Sequence, residues 1–494
     1  MLNTPVATEA GGCLTLTVPG LEALGATAPG TTAAGLMEPD LTAPGFGAPG
    51  LRAPGFGAPG FGAPDLGAPG FGTPGLGAPG LGAPVLTATA VTPAILVETT
   101  CRLCGARLHR TLIDLGSLPL AGHAVPVGSV DDPRYQLHAR VCDTCSLVQV
   151  GNVPGVEPIS GRGSGLSEDF GIGGPDARRW FEGLRKRLRP DAGSLVIEVG
   201  CNDSGLLRQF QASGIRVLGI GVPGNAAEAG VPIELGPFNA ETAMQVAVRH
   251  GCADLVIATD VLPRAHDLFD LAAALACILR PNGVLTLQVP HLLAVLQNGQ
   301  FDAFRHDTHT YLSLQVLEHV LRSVGLRAFD AERVADHGGS LRVQACHLAG
   351  PHAVRPGVKA VRLAERSGEA LYAGFGDRVA AARDEIGEFL RTRGSAGRRV
   401  VGYGAATRGA MLLNCCGITE REIVAIADAD PARHGRLMPG SRIPIVALES
   451  VLADPPHDVM ILPWPNLAQV LPKLMPLRQL GTQLWTLLPR IARV

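Results

Sequence analysis

From Ser194 onward the chain alternates short apolar runs with amphipathic stretches of helical spacing. Leu195 to Val199 is apolar except for Glu198 and reads as a buried strand. It runs into a small-residue turn that ends at Gly205, and LLRQFQASG follows with helical spacing. IRVLGIG, ending at Gly221, is the next strand, and DLVIATDVL (254–262) is another. LFDLAAALACILRPNG reads as a helix closed by a Pro-Asn-Gly turn, and VLTLQVP as a further strand. The alternation predicts an α/β fold with a doubly wound parallel sheet, in which ligands sit outside the carboxyl ends of the strands. Residues 355–395, rich in Ala, Arg and Glu, predict one long exposed helix. After Gly397 a second strand, glycine turn and helix begin, followed by strands in IVAIADAD and HDVMILPW, which predicts a smaller Rossmann-like unit.

The amino-terminal part has neither period. Ala43 to Pro84 repeats a pentad of the type APGFG, whose Pro-Gly centre suits a type II turn and buries no common core. Residues 1–97 hold 20 of the 63 Gly and 14 of the 39 Pro in about a fifth of the chain, and this excess reads as a flexible leader. Cys101 and Cys104 in CRLC and Cys142 and Cys145 in CDTC then form two CxxC pairs. Four thiolates in that spacing complete a tetrahedral zinc site, and with every position filled by protein the metal is structural. The ion gives so small a module, residues 98–155, cohesion that burial alone would not supply.

Charge narrows the function classes. With 42 Lys+Arg against 44 Asp+Glu the chain lacks the cation surplus that phosphate neutralisation requires, so nucleic acid is not the expected partner. No run of 18 apolar residues and no signal peptide pattern is present, which predicts a cytoplasmic protein without a membrane partner.

The turn after the first strand holds Glu198, Gly200, Asn202, Asp203 and Gly205, with Asp260 at the end of a later strand. An acidic residue followed by a glycine turn and a helix start is the arrangement by which class I S-adenosylmethionine (SAM) methyltransferases hold their cofactor. Beyond residue 97 the chain resembles the three-part C-methyltransferases of deoxysugar biosynthesis, which belong to antibiotic and other secondary metabolism. The resemblance rests on CRLC, CDTCSLVQ, EVGCNDSGLL, LRPNGVLTLQVPHL, GQFDAFRHDTHTYLSL, DHGGSLRV, GYGAATRGAMLLNCCGI, PGSRIPI and ILPW, in that order. It implies a methyltransferase domain over 156–350, a connecting helix over 351–396 and a Rossmann-like substrate domain over 397–494. The implied cofactors are SAM and structural zinc, and the implied partner is a nucleotide-diphosphate sugar or a related small molecule.

The family chemistry implied is removal of a proton from a carbon next to a sugar ketone and methylation of that carbon. The family's Tyr-His-Glu-His corresponds to Arg305, His306, Asp307 and Thr308, with His309 one position later. His306, Asp307 and His309 are therefore the expected catalytic residues. The expected substrate contacts are His337, Gly338 and Arg342 in DHGGSLRV, and Tyr403, Arg408 and Asn414 after the last glycine turn. Asp428 and Asp430 are candidates for a ribose, or else solvated loop acids. NAD is disfavoured because the turn reads GxG followed by AATRG. Where the family carries an aspartate for the SAM ribose, this chain has Gly221, a loss worth about 1.5–3 kcal/mol of binding. A second reading follows from that erosion: a catalytically impaired relative acting as a sugar-nucleotide-binding or scaffold protein.

Overall fold

The structure, a computed structural model of the 494-residue chain, describes residues 6–10, 13–17, 99–122, 124–129, 132–151, 174–201, 205–221 and 230–494. The pentad repeat lies outside the described residues. Within the segment read as leader, β1 (Val6–Ala10) and β2 (Cys13–Thr17) pair as an antiparallel ribbon.

The cysteine-rich module contributes β3 (Arg110–Pro119), β4 (Arg134–Val141) and β5 (Val148–Val150), all antiparallel. Its apolar face, Leu112, Leu137, Ala139 and Val148 among others, joins a core shared with the carboxyl-terminal unit.

The central unit opens with α1 (Gly174–Leu188) and proceeds through β6 (Leu195–Val199), α2 (Gly205–Ala212), β7 (Arg216–Gly221), β8 (Ile233–Leu235), α3 (Ala240–His250) and β9 (Ala253–Thr259). All five residues of β6 are buried because helices cover both faces of the sheet. Asn239 and Thr242 start α3 by exchanging side-chain and backbone hydrogen bonds, a capping box that satisfies the first amides. Asp267 accepts from two amides to start α4 (Leu268–Cys277). β10 (Leu279–Pro290), α5 (Leu292–Gln297), β11 (Thr310–Tyr311), α6 (Leu314–Ser323), β12 (Leu326–Val334) and β13 (Ser340–His347) complete the unit.

The seven-stranded sheet runs β12-β13-β10-β9-β6-β7-β8, and only β13 is antiparallel to its neighbours. That order, with one reversed strand next to an edge, departs from the all-parallel sheet expected and is the class I methyltransferase pattern. The order turns at the β6–β9 pair, so a crevice opens beyond Val199 and Thr259. The expected helix over Leu268 ends at Cys277 instead of in the Pro-Asn-Gly turn, because Arg280 to Gly283 already belong to β10. β11 does not join this sheet. It pairs with β5, so a piece of the central unit forms the edge of the module's four-stranded sheet, in the order β11-β5-β4-β3.

The long helix expected over 355–395 is two, α7 (Pro356–Ser367) and α8 (Phe375–Ser395). Gly374 sits at φ 64, a left-handed conformation that ends helical continuity, and Gly368 precedes the break. Nor is α8 wholly exposed, since Phe375, Val379, Ile386 and Leu390 are buried. The last unit contains β14 (Val400–Tyr403), α9 (Thr407–Cys415), β15 (Ile426–Asp428), β16 (Ile445–Ala447), α10 (Leu448–Ala453), β17 (Asp458–Ile461), α11 (Leu467–Gln479), β18 (Gln483–Thr486) and β19 (Ala492–Arg493). Its sheet order β16-β15-β14-β17-β18-β19 is parallel except for β19, a half-size Rossmann arrangement. No helix among the described residues is long and apolar enough to cross a membrane.

Phe304 lies where the central unit, the connecting helices and the module meet. Its ring centroid is 4.5 Å from that of Tyr311 and 6.0 Å from that of Phe375, and it is fully buried. Phe304→Ala is therefore expected to lower unfolding free energy by about 3–5 kcal/mol, measured as a shift in urea midpoint at constant slope.

Candidate active site

The two CxxC turns fold alike. Cys101 donates its amide to Ala106 at 2.8 Å and Cys142 to Leu147 at 2.9 Å, and each turn closes on a residue of positive φ, Gly105 and Ser146. The four sulfurs all lie within 4.8 Å of one another, with Cys101 to Cys145 at 3.5 Å and Cys104 to Cys142 at 3.4 Å. A tetrahedron of Zn–S bonds of about 2.3 Å has edges of about 3.8 Å, so the set fits zinc. The thiols also conflict without a cation. The hydrogen bond from Cys145 holds the Cys101 thiol down at about 5, while the same contact and burial push Cys145 up. A divalent ion lets all four be thiolates, and with four protein ligands its part is structural.

At the other end of the central unit, Gly200 (φ 77) and Cys201 both donate amides to Ile220, at 2.8 and 3.1 Å. The turn after β6 is thereby drawn onto the end of β7. Glu198 is buried just before it, and α2 starts at Gly205. Asn202 and Asp203 lie outside the described residues. This explains Gly221: a Cβ there would stand 2.8 Å from the Cys201 carbonyl oxygen, so the strand end has no room for the ribose-binding carboxylate. The acidic residue nearest in register, Glu234 beside Ile220, is held by Arg249 and His250 at 3.0 and 2.8 Å. At the end of β9 the Thr259 hydroxyl is buried with no hydrogen-bond partner. The glycine turn, Glu198 and Thr259 fit SAM, whose ribose then lacks the usual acid among the described residues.

Asp260 takes φ 55 and is buried. Burial pushes its carboxyl up, against the pull of Arg264 and Arg305. Arg264 donates to Asp260 at 3.1 Å and to Asp307 at 2.9 Å, and Arg305 donates to Asp307 at 3.0 Å. Burial alone would raise the Asp307 carboxyl, but the two guanidiniums outweigh it and hold it below the usual range. Asp307 is thus spent on anchoring the loop to the end of β9, and it reaches the two histidines only through its charge, which raises the pKa of each against the stronger effect of burial. The Tyr311 hydroxyl, accepting from the Arg305 amide at 3.0 Å and donating to Ala303 at 3.3 Å, braces the same loop.

His306 and His309 are both buried. One ring nitrogen of His306 bonds the Tyr135 carbonyl of β4 at 3.1 Å, and its Nδ1 has no partner. Desolvation holds its pKa below the ordinary value. The His309 ring lies tilted against that of His266, with centroids 4.4 Å apart, and its Nδ1 is likewise unpartnered. Burial, then Arg102 and His266, push its pKa down to about 3. Both rings are neutral near pH 7, with a buried acceptor or donor unused.

The structure separates the six expected substrate contacts. Arg408, on α9, is buried and donates to Asp302 at 3.2 Å, to Gln300 at 3.3 Å and to the His337 carbonyl at 3.3 Å. Gln300 also donates to the Gly338 carbonyl at 2.7 Å, so Arg408, His337 and Gly338 come together. They do so through an internal tie, in which the planar guanidinium spans three acceptors. Arg342 is elsewhere, 4.2 Å over Trp180 and donating to Gln288 at 2.7 Å and Glu332 at 3.1 Å. Asn414 donates to Ala410 and Pro439, and Tyr403 sits in the core against Leu474 and Leu477. Asp428 accepts from the Ala405 amide at 2.5 Å and from Arg433, closing the last glycine turn from within. Asp430 caps the next short turn, accepting from Ala432.

Three residues not singled out by sequence belong to this cluster. Asp302, wholly buried, accepts from Arg408 and from the Trp464 indole at 2.9 Å, and its other oxygen has no partner. Gln300 and Trp464 complete it. Their signal was present only as membership of the GQFDAF and ILPW motifs. A cavity of about 460 Å³ lies at the opposite ends of the strands, around Ser194, Asp254 and Gly283, and its Arg187 and Arg280 are paired with Asp330 and Asp254.

Three outcomes follow. Zinc analysis should give one ion per chain, and Cys142→Ser should lose it together with thermal stability, read by metal analysis and a melting curve. Arg408→Ala leaves a buried carboxylate unpaired and should cost about 3–5 kcal/mol in urea unfolding, whereas Asp302→Leu with Arg408→Met should recover most of it. His309 has a folded pKa of about 3 against about 6.5 unfolded, so its contribution is complete above pH 6.5 and is lost as pH falls towards 3. Urea midpoints between pH 8 and 5 should therefore fall more steeply for the natural chain than for His309→Gln.

Comparison with known proteins places these features. Residues 101–158 match a zinc binding domain family, 176–330 a methyltransferase domain and 335–489 the C-methyltransferase C-terminal domain. The chain is 32% identical over 376 residues to C-methyltransferase NovU of Streptomyces niveus, covering 74% of this chain and 89% of that one. Among solved structures, 1,6-didemethyltoxoflavin-N1-methyltransferase of Burkholderia thailandensis aligns at 16% identity over 42% of this chain and 98% of that chain, with a TM-score of 0.29. Magnesium protoporphyrin IX methyltransferase of Synechocystis PCC 6803 aligns at 18% identity over 38% and 89%, with a TM-score of 0.29. A structural Cys₄ zinc module, a class I SAM-dependent methyltransferase domain and a family-specific carboxyl-terminal domain in one order show that this chain is an enzyme of the C-methyltransferase family.

Proposed function

We propose that the enzyme methylates a carbon α to a ketone on a nucleotide-linked deoxysugar or related small molecule, with a histidine of the 303–309 loop as base. The observation that carries this reading is the Asp260–Arg264–Asp307 chain, which fixes a loop bearing two neutral, buried histidines beside the carboxyl end of β9. SAM, when bound, supplies an electrophilic methyl group. The protein's task is then to remove a proton from carbon and to hold the enolate oxygen.

His306 is the better base. It is neutral at working pH, its Nδ1 is unpartnered, and the Tyr135 carbonyl fixes the ring by accepting from the other nitrogen. Such a bond favours the tautomer with Nδ1 as acceptor. The α proton passes to Nδ1 as the C–H electron pair moves into the enolate. His309, whose pKa is pushed down to about 3, is a weak base and suits hydrogen bonding to the enolate oxygen. The Thr310 hydroxyl, buried without a partner next to it, adds a further donor. Because Arg408, Arg342 and Asn414 are engaged within the protein, the group left for the sugar is the open oxygen of Asp302, which would accept from a hydroxyl.

The test is mass spectrometry of a panel of keto-sugar nucleotides mixed with enzyme and SAM, expecting a product heavier by one CH₂ group. His306→Gln should lower kcat by about 10²–10⁴-fold. His309→Gln should act less, and equal unimpaired turnover in both would remove histidine from the mechanism. Since the His306 pKa is depressed, the acid limb of the kcat profile should lie below pH 6.5 and the rate should be level from there to pH 8. Failure of SAM to bind at millimolar concentration in calorimetry would favour the scaffold reading.

A further inference from the structure

The first zinc knuckle and the histidine loop are joined by a short, continuous set of hydrogen bonds. Arg102 lies between the ligands Cys101 and Cys104. Its amide donates to the Gln149 side chain at 2.9 Å, and Gln149 returns a bond to the Thr100 carbonyl at 3.2 Å. The Arg102 guanidinium donates to the Val150 carbonyl at 3.0 Å. Gln149 and Val150 belong to β5, which leaves the second knuckle directly after Cys145 and Leu147. From β5 the bonds pass into the central unit: Val150 donates to the His309 carbonyl at 3.1 Å, and Thr310 and Tyr311 pair with Gln149 and Val148. On the next strand the Tyr135 carbonyl holds His306. On its far side the His309 amide donates to the Pro263 carbonyl at 2.8 Å, so His309 is pinned between the module and the end of the central sheet.

We infer that the zinc module is a positioning device for the histidine loop, with Arg102 and Gln149 as positioning residues that convert the fixed geometry of the knuckles into the placement of His306 and His309. The inference deepens the proposed reaction and rests on it for its catalytic consequence. The physical basis is lever length. β11 has only two residues, too few to hold itself, and its register is set by β5, whose own start is fixed by a metal ligand three residues earlier. A loop held on one side only would let the rings move by more than the tolerance of proton transfer.

The test uses the full-length, zinc-replete enzyme with Arg102→Met, Arg102→Lys and Gln149→Leu. Metal content should stay at one ion per chain in all three. The imidazole signals of His306 and His309 in ¹⁵N-histidine NMR, without SAM, should shift in Arg102→Met and Gln149→Leu and return towards the natural positions in Arg102→Lys. kcat should fall at least tenfold in the first two, with KM for SAM within twofold. If Arg102→Met does not fold, Gln149→Leu carries the same readouts. Unchanged histidine signals in a metal-replete variant would overturn the inference. Shifted signals with unchanged kcat would uphold the positioning and instead remove the histidines from the chemistry.

Discussion

Asp307 accepts hydrogen bonds from Arg264 and Arg305 inside the molecule, and the form of the candidate site follows from that double pairing. One unpaired buried carboxylate would be intolerable, but two guanidiniums compensate it and leave Arg264 a second fork for Asp260. The chain of alternating charges therefore reaches from the end of β9 to the loop, over a span where backbone bonds alone give few restraints. Shortening the family's glutamate to aspartate makes sense in this setting, since the carboxylate is drawn back to its own loop. The replacement of tyrosine by Arg305 supplies the second cation, so the two departures act as a pair.

The same economy of polar groups appears at the junction with the carboxyl-terminal unit. Asp302 is buried with one oxygen shared by Arg408 and Trp464, and Arg408 also holds Gln300 and the His337 carbonyl. Groups that resemblance marks for substrate are here consumed by contacts between units. Among the buried atoms left without a hydrogen-bond partner are His306 and His309 Nδ1, the Thr259, Thr310 and Thr407 hydroxyls and one Asp302 oxygen, while others, such as the Thr286 and Ser441 hydroxyls, belong to other parts of the molecule. Buried polar groups without partners cost free energy, and those on the histidine loop, at Thr259 and at Asp302 are the ones the proposed ligand would satisfy.

Zinc stands apart from this chemistry and yet constrains it. Its four thiolates close the coordination shell, and the module's sheet accepts β11 as its edge. With β11 in place β5 is no longer an edge, and the pairing also gives the loop its register.

Local pattern determined much of this protein. Leu195 to Val199 reads as a buried strand because both faces are covered, the two CxxC spacings declare a metal site, and the motif order identifies the family. Each depends on residues close together in sequence, whose period or spacing carries its own physical meaning. The break at Gly374 and the early start of β10 were missed because helical composition outweighs single breakers in a window reading. Only the tertiary structure decided which charges are free. Arg408 meets Asp302 across 106 positions, Arg264 meets Asp307 across 43, and Arg342 meets Gln288 across 54. Pairings over such separations follow from how sheets and helices pack, which no local period encodes. For the same reason the loss of an acid at Gly221 is visible in the sequence, while its cause, the Cys201 carbonyl lying against that strand end, is visible only in the fold.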